Sequence, residues 1–132
     1  MFWNVQGAAS PKFHRAFKTL KQMYKPQLCV LFEPRCSGQK ADAFIRKSRY
    51  SFSHRVEARG FSGGIWILWT EELTVDVIED HPQFVSLRVV ASNGSWFYIT
   101  AIYASPSRSI RDQLWGVLHD RAYEMDGPWI VG

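Results

Sequence analysis

The chain has 132 residues, of which 46% are hydrophobic, 21% charged and 15% aromatic, a balance that fits one folded globular domain with a modest core. No apolar run approaches the roughly 20 residues that a membrane-spanning helix needs, and Met1 leads into Phe2-Trp3-Asn4 without the basic and apolar regions of a secretory signal. The net charge of +4 is unevenly spread: residues 1–66 carry twelve Lys and Arg against three Asp and Glu, and residues 67–132 carry four against nine. A non-secreted protein of the nucleus or cytoplasm is expected. Its basic first half either faces a polyanion or solvates two helices.

The chain opens on a strand stub, Met1 to Val5, and a loop at Gln6-Gly7-Ala8-Ala9. Ser10-Pro11 then reads as an N-cap followed by proline at the first helical position. Phe13, Phe17, Leu20 and Tyr24 recur at helical spacing, with Lys12, Arg15, Lys18, Lys21 and Lys25 on the other faces, and Pro26 is expected to end this helix. Leu28-Cys29-Val30-Leu31-Phe32 is an unbroken apolar run, as in a strand buried on both faces. Strand, helix, strand makes a βαβ unit. Glu33 closes the run at its carboxyl end, and Pro34 biases it toward an extended backbone. Cys29 and Cys36 stand at a spacing that suits neither a zinc site nor a disulfide framework, so both are expected reduced.

Ser37-Gly38 reads as a turn, Asp42 to Lys47 as a short helix, and Arg49 to Val56 as a strand with Tyr50, Phe52, His54 and Val56 on one face. Gly60, Gly63 and Gly64 break the chain. Four strand-like runs follow: Ile65–Trp69, Leu73–Ile78, Phe84–Val90 and Trp96–Tyr103, with Ser92-Asn93-Gly94 as a hairpin turn. Ser109 is expected to cap a second helix whose buried face carries Ile110, Leu114, Val117, Leu118, Ala122 and Met125. Asp126-Gly127-Pro128 stops it, and Trp129-Ile130-Val131 begins another strand. Nothing in the composition marks a second domain or a repeat.

Trp3-Asn4, Phe32-Glu33, Gly63-Gly64-Ile65 and Tyr103-Ala104-Ser105-Pro106 stand out in that order. Together they resemble the endonuclease/exonuclease/phosphatase superfamily, whose fold is that of deoxyribonuclease I. Within it the chain looks most like the endonuclease domain of plant LINE-type non-LTR retrotransposons. The resemblance covers the whole chain, and Gly127-Pro128-Trp129-Ile130-Val131-Gly132 looks like the run-up to the Gly-Asp-Phe-Asn motif of that family. It implies an α/β fold, the N-terminal half of a four-layer α/β/β/α sandwich, with residues 1–132 a partial domain that stops before that motif.

The same resemblance implies a Mg²⁺-dependent hydrolase that cuts DNA, with Glu33 as metal ligand, Asn4 as a catalytic residue at the end of the first strand, and Tyr103 near the scissile phosphate. The roles are chemically sensible. Phosphodiester hydrolysis needs an electrophile to draw charge off the phosphate and an activated water. A carboxylate is a hard ligand for Mg²⁺, which keeps several waters and needs few protein ligands. The amide of Asn4 can orient a carboxylate without adding charge, and parallel strands joined by one helix would put Asn4 and Glu33 at one sheet edge. The residues alone leave a plainer reading open, with Asn4 as a turn residue and Tyr103 as a strand-end aromatic. Gly63-Gly64 suits close backbone approach or a bulge. The family's Gly-Asp-Phe-Asn acids and its late Asp-His pair have no counterpart, so no nuclease activity is expected of the chain alone. Exposed apolar surface and poor solubility are expected as well.

Lys40, Arg46, Lys47, Arg49, Arg55 and Arg59 form a basic stretch with Phe44, Tyr50 and Phe52 interleaved, which either tracks a nucleic-acid backbone or is a solvated edge. The alternative to an enzyme is thus a non-catalytic nucleic-acid-binding or interaction remnant. His14 is expected to be solvated on its basic helix, and His54, His81 and His119 lack a telling partner. Glu79-Asp80 reads as a strand-end pair, and Asp112 as a charge favoured by the helix dipole.

Overall fold

The computed structural model describes residues 1–57 and 63–132. Gly60 and Arg59, expected above as a chain break and as part of the basic stretch, lie outside the described residues. The chain forms two compact units, Met1–Leu73 and Thr74–Gly132.

The first unit contains β1 (Phe2–Asn4), α1 (Pro11–Tyr24), β2 (Leu28–Phe32), α2 (Gly38–Ser48), β3 (Phe52–Val56) and β4 (Ile65–Trp69), with the sheet in the order β1-β2-β4-β3. β1 and β2 run parallel, Phe2 opposite Val30 and Asn4 opposite Phe32, which is the βαβ unit that the sequence predicts. β2 and β4 are antiparallel and central, and all ten of their residues are buried. An unbroken apolar run is what a strand covered on both faces requires. Cys29, Leu31, Trp66 and Leu68 pack with Phe13 and Phe17 of α1 and Ala41 and Phe44 of α2. Phe44 sits at the centre, its ring 5.2 Å from Phe13, 5.2 Å from Phe17 and 5.6 Å from Trp66.

The Ser10 side chain accepts from the Phe13 amide at 3.1 Å and Pro11 starts α1, as its sequence dictates. The helix ends at Tyr24, two residues before Pro26, with Lys25 as its cap in the left-handed region, whose amide donates to the Lys21 carbonyl at 2.9 Å. Three expectations are corrected here. α2 is eleven residues long and starts at Gly38, because Ala41 and Phe44 bury a helical stripe that begins before Asp42. Tyr50 precedes β3 and is buried: its hydroxyl donates to the Pro26 carbonyl at 2.8 Å and meets the Cys29 thiol at 2.8 Å. His14 is half-buried, with Nε2 2.7 Å from the Ala8 carbonyl and its ring 5.3 Å from Phe44.

The second unit contains β5 (Leu73–His81, its first residue in the first unit), β6 (Phe84–Ala91), β7 (Trp96–Ile102), α3 (Arg108–Glu124) and β8 (Trp129–Val131), in the sheet order β5-β6-β7-β8. β6 and β7 form the expected antiparallel hairpin, from Phe84 opposite Ile102 to Val90 opposite Trp96. Gly94 turns it with φ +83°, and the Asn93 side chain accepts from the Ser95 amide at 3.0 Å. β7 and β8 are parallel across α3, Tyr98 opposite Trp129, a second βαβ unit. Phe84, Leu114 and Leu118 make the core against α3. Ser86 and Thr100, opposite each other in the hairpin and buried, join hydroxyls at 3.0 Å, and the Trp129 indole N–H donates to Thr100 Oγ1 at 2.9 Å.

α3 is capped at Ser107, with Ser109 inside it; the Ser107 hydroxyl makes no capping bond to the helix backbone and meets the Ser109 hydroxyl at 3.2 Å. Of the face expected to be buried, Leu114 and Leu118 are, while Ile110 stays 47% exposed. Glu79 is held by Arg121 of α3 at 2.7 Å, and Asp112 lies 3.7 Å from Arg108.

Candidate active site

The register between β1 and β2 sets the position of the two polar residues at their ends. Asn4 pairs with Phe32, so Asn4 and the following Glu33 emerge at the same carboxyl edge. The ladder continues one step into the loop, with the Val5 amide on the Phe32 carbonyl at 2.9 Å and the Gly7 amide on the Glu33 carbonyl at 2.8 Å. The side chains then meet: Asn4 Nδ2 donates to Glu33 Oε1 at 3.2 Å, which leaves Asn4 Oδ1 as an acceptor. The second carboxylate oxygen, Oε2, is paired with the Arg35 guanidinium. The Glu33 side chain is 13% exposed while Arg35 is 59% exposed, so the carboxylate is largely sheltered beneath an exposed cation.

The backbone of Glu33 departs from its sequence expectation. Its φ is +53°, in the left-handed region, although Pro34 disfavours any compact conformation there. Such a conformation costs a non-glycine residue on the order of 1–3 kcal/mol and persists where surrounding contacts over-determine it. The contacts are present. The Glu33 amide donates to the Gly64 carbonyl at 3.1 Å, the Arg35 amide to the Gly63 carbonyl at 3.1 Å, and the Ala8 amide to the Pro34 carbonyl at 2.7 Å. Gly63 makes this possible. A Cβ there would stand 2.7 Å from Glu33 Cα and 2.8 Å from its Cγ. The Gly-Gly pair that opens β4 is therefore the floor on which the Glu33 turn rests.

Tyr103 is placed in the second unit, one residue past β7 and half-buried. Its amide donates to the Gln83 carbonyl at 2.7 Å, and the Gln83 side chain accepts from the Ser105 amide at 2.8 Å. Arg111 donates to the Ser105 carbonyl at 2.9 Å. Gln83 and Arg111, together with Arg35, shape these loops and are absent from the sequence-derived candidates. Arg35 had a signal, a cation two residues from a carboxylate in a turn. Gln83 had none, since its partner lies beyond a whole hairpin.

Among the candidate nucleic-acid residues, Lys40, Arg46, Lys47 and Arg49 are exposed along α2 and its cap. Arg55 is committed to Asp42 at 3.0 Å and Glu57 at 3.3 Å. The interleaved aromatics do not form a stacking platform: Phe44 and Tyr50 are buried, and Phe52 stacks on Trp69 at 5.8 Å. Amphipathic spacing on a helix sends the aromatic residue inward while its charged neighbours face water.

A Mg²⁺ ion takes hard oxygen ligands and retains waters. Glu33 supplies one carboxylate, and the amide oxygen of Asn4 a second hard donor beside it. The described residues contain no group of three or more His, Cys, Asp or Glu side chains that could hold a metal. The donor set thus fits a largely hydrated Mg²⁺ on one carboxylate, and Arg35 would have to yield Oε2 to it.

No protein-family model matches the sequence, and no curated protein sequence matches it either. Solved structures do. The 3′ phosphatase NExo from Neisseria, bound to a product DNA hairpin, superposes with a TM-score of 0.64 at 13% identity, over 98% of this chain and 54% of its own. TDP2 from Caenorhabditis elegans gives 0.59 at 18% identity, over 92% and 40%. The catalytic domain of Xenopus laevis APE2 gives 0.58 at 14% identity, over 98% and 55%. These neighbours are enzymes of the deoxyribonuclease I-like endonuclease/exonuclease/phosphatase group, and the chain spans about half the length of each or less. The two sheets and three helices of this chain thus have the deoxyribonuclease I-like α/β fold.

Proposed function

We propose that this chain carries part of a DNA-directed phosphodiesterase site, of the kind used by plant LINE-type retrotransposon endonucleases, acting in the nucleus or cytoplasm with Mg²⁺. The observation that carries the reading is the hydrogen bond from Asn4 to Glu33 at the carboxyl edge of two parallel strands. The strained, glycine-supported backbone of Glu33 supports it, because strain of this sort gathers at functional sites. Fold neighbours that process DNA support it as well.

Mg²⁺, when bound, supplies charge to the phosphate and an acidified water. The chain's own residues do the rest. Glu33 offers a hard oxygen. Asn4 orients that carboxylate and adds no charge. Arg35 holds the carboxylate in position until a stronger cation takes its place. For Tyr103, in the second unit, a role near a phosphate rests on the family resemblance alone. With no cluster of three or more acidic or imidazole groups among the described residues, the reading assigns this chain the holding of metal and phosphate and leaves water activation unassigned.

A Mg²⁺ titration followed by NMR at the Asn4 side-chain amide and the Glu33 and Arg35 backbone amides tests this. Mg²⁺ is expected to shift these signals in the wild-type chain and to leave Glu33→Gln unmoved. Arg35→Gln should respond at lower Mg²⁺, since the competing guanidinium is gone. An identical response in Glu33→Gln sinks the assignment. In a parallel assay the chain alone should leave supercoiled plasmid intact. Mg²⁺-dependent nicking abolished by Glu33→Ala would show instead that the chain holds a whole catalytic site.

A second reading, a nucleic-acid-binding remnant without catalysis, is favoured by one observation. A cluster of cations in the first unit lines a groove to which neither Asn4 nor Glu33 contributes.

A further inference from the structure

Between α1 and α2 lies a groove of about 620 Å³. Lys18 and Lys21 line it from α1, Lys47 and Arg49 from the end of α2, and Phe17 and Phe44 form its apolar floor. Among the described residues no acidic side chain lines it. A cleft with one sign of charge and low-dielectric walls focuses the field and concentrates counter-ions.

The four cations divide into two kinds. Lys21 is structural: its ammonium donates to the Ser48 carbonyl at 2.6 Å and the Arg49 carbonyl at 3.1 Å, and it stands 4.0 Å over the Tyr50 ring. It thereby fastens the carboxyl end of α2 to α1 and sets the width of the groove. Lys18, Lys47 and Arg49 are exposed and form no ion pair among the described residues. Arg35, Arg55 and Arg121 of the same chain are each held by a carboxylate. The charge that Lys18, Lys47 and Arg49 bring to the groove is thus uncommitted.

We propose that the α1–α2 groove binds the phosphodiester backbone of a nucleic-acid strand, through Lys18, Lys47 and Arg49, at a place distinct from the Asn4–Glu33 edge. A strand fits a cleft between two helices, which a flat bilayer surface cannot enter. The floor rings are 4% exposed each, so they offer no face for a base to stack on. Binding here is therefore through phosphates and indifferent to base sequence. The proposal rests on nucleic acid as the ligand of this chain and is independent of metal or hydrolysis.

Fluorescence anisotropy of a labelled oligodeoxythymidylate, titrated with the full 132-residue chain at several salt concentrations, tests it. Each phosphate neutralised on a single strand contributes a slope of about 0.7 in log affinity against log salt. Three contacts predict roughly 20-fold weaker binding between about 50 and 200 mM salt. Lys18→Gln combined with Lys47→Gln should lower the slope by about 1.4. Lys40→Gln with Arg46→Gln, equally basic and on the same helix but outside the groove, should leave most of the slope in place. Glu33→Gln should also leave it, which separates failure of this site from failure of the nuclease reading. Equal losses in the two double variants would overturn the groove in favour of diffuse charge. So would preferential, groove-dependent binding to phosphatidylserine vesicles, or no binding to the oligonucleotide at low salt.

Discussion

Gly63 and Glu33 approach so closely that a Cβ on the glycine would lie 2.7 Å from the Cα of the glutamate. The atom met is backbone, held by two further hydrogen bonds, so it has no easy retreat. Gly63→Ala should therefore destabilise the chain by about 1–3 kcal/mol, the usual cost of overpacking. Its Asn4 and Glu33 resonances should move as well. A urea midpoint equal to wild type would refute this account of the turn.

The left-handed backbone at Glu33 makes a second prediction. Glycine adopts that region at no steric cost, while alanine keeps the strain. Glu33→Gly should then be more stable than Glu33→Ala by up to about 2 kcal/mol, the relieved strain of about 1–3 kcal/mol less the roughly 0.4–1 kcal/mol that the larger entropy of its unfolded chain costs. Both variants lose the Asn4 and Arg35 contacts, so the comparison cancels those and leaves backbone strain against chain entropy. Alanine more stable than glycine would mean that the turn is unstrained.

Alkaline pH should weaken the first unit. Burial raises the Tyr50 phenol above its ordinary value of 10.0, helped by its hydrogen bond to Cys29. Burial likewise raises the Cys29 thiol above 9.0. The native state then holds protons that the unfolded state releases. Stability is full below about pH 9 and falls as pH climbs through the ordinary values toward the raised ones, by up to ~1.4 kcal/mol per pH unit for each group. Tyr50→Phe should begin less stable by about 1 kcal/mol, having lost the bond to the Pro26 carbonyl, and then decline more shallowly. Denaturation curves across that range would show it, and parallel declines would argue against Tyr50 as a source.

Thr100 is the hub of a buried polar pair in the second unit. Its hydroxyl meets Ser86 and accepts from the Trp129 indole, which ties β8 to β7. Thr100→Val keeps the shape and strands both partners. It should cost about 1–3 kcal/mol. Amide exchange should quicken at Gly132, whose N–H donates to the Thr100 carbonyl at 3.1 Å. Unchanged exchange there would show that the indole bond contributes little.

Local chemistry made several features legible. Ser10-Pro11 starts α1 by a capping bond three residues long in sequence, and Ser92-Asn93-Gly94 turns its hairpin with a glycine at positive φ. The run from Leu28 to Phe32 announces burial on two faces because no polar residue interrupts it. The pairing of Asn4 with Glu33 was also within reach, since a single helix joins their strands and the crossover leaves few placements. α2 starts earlier than its sequence pattern suggests because its first turn is polar, and only the burial of Ala41 and Phe44 shows that it is docked.

What the sequence by itself determined is the order of elements, the βαβ connection and the identity of the carboxylate at the strand end. Periodicity, capping and strand parity act over a few residues and leave their mark in the string. The tertiary structure alone decided that Glu33 turns left-handed against the preference imposed by Pro34, that Arg35 takes its second oxygen, and that Lys18 meets Lys47 and Arg49 across a groove. Each depends on a partner brought near by folding: Gly63 thirty residues downstream, a loop strapped to a neighbouring strand, a second helix. Backbone preference at one residue is worth about 1–3 kcal/mol. A few hydrogen bonds and a close-packed glycine outweigh it, and those exist only once the sheet has formed.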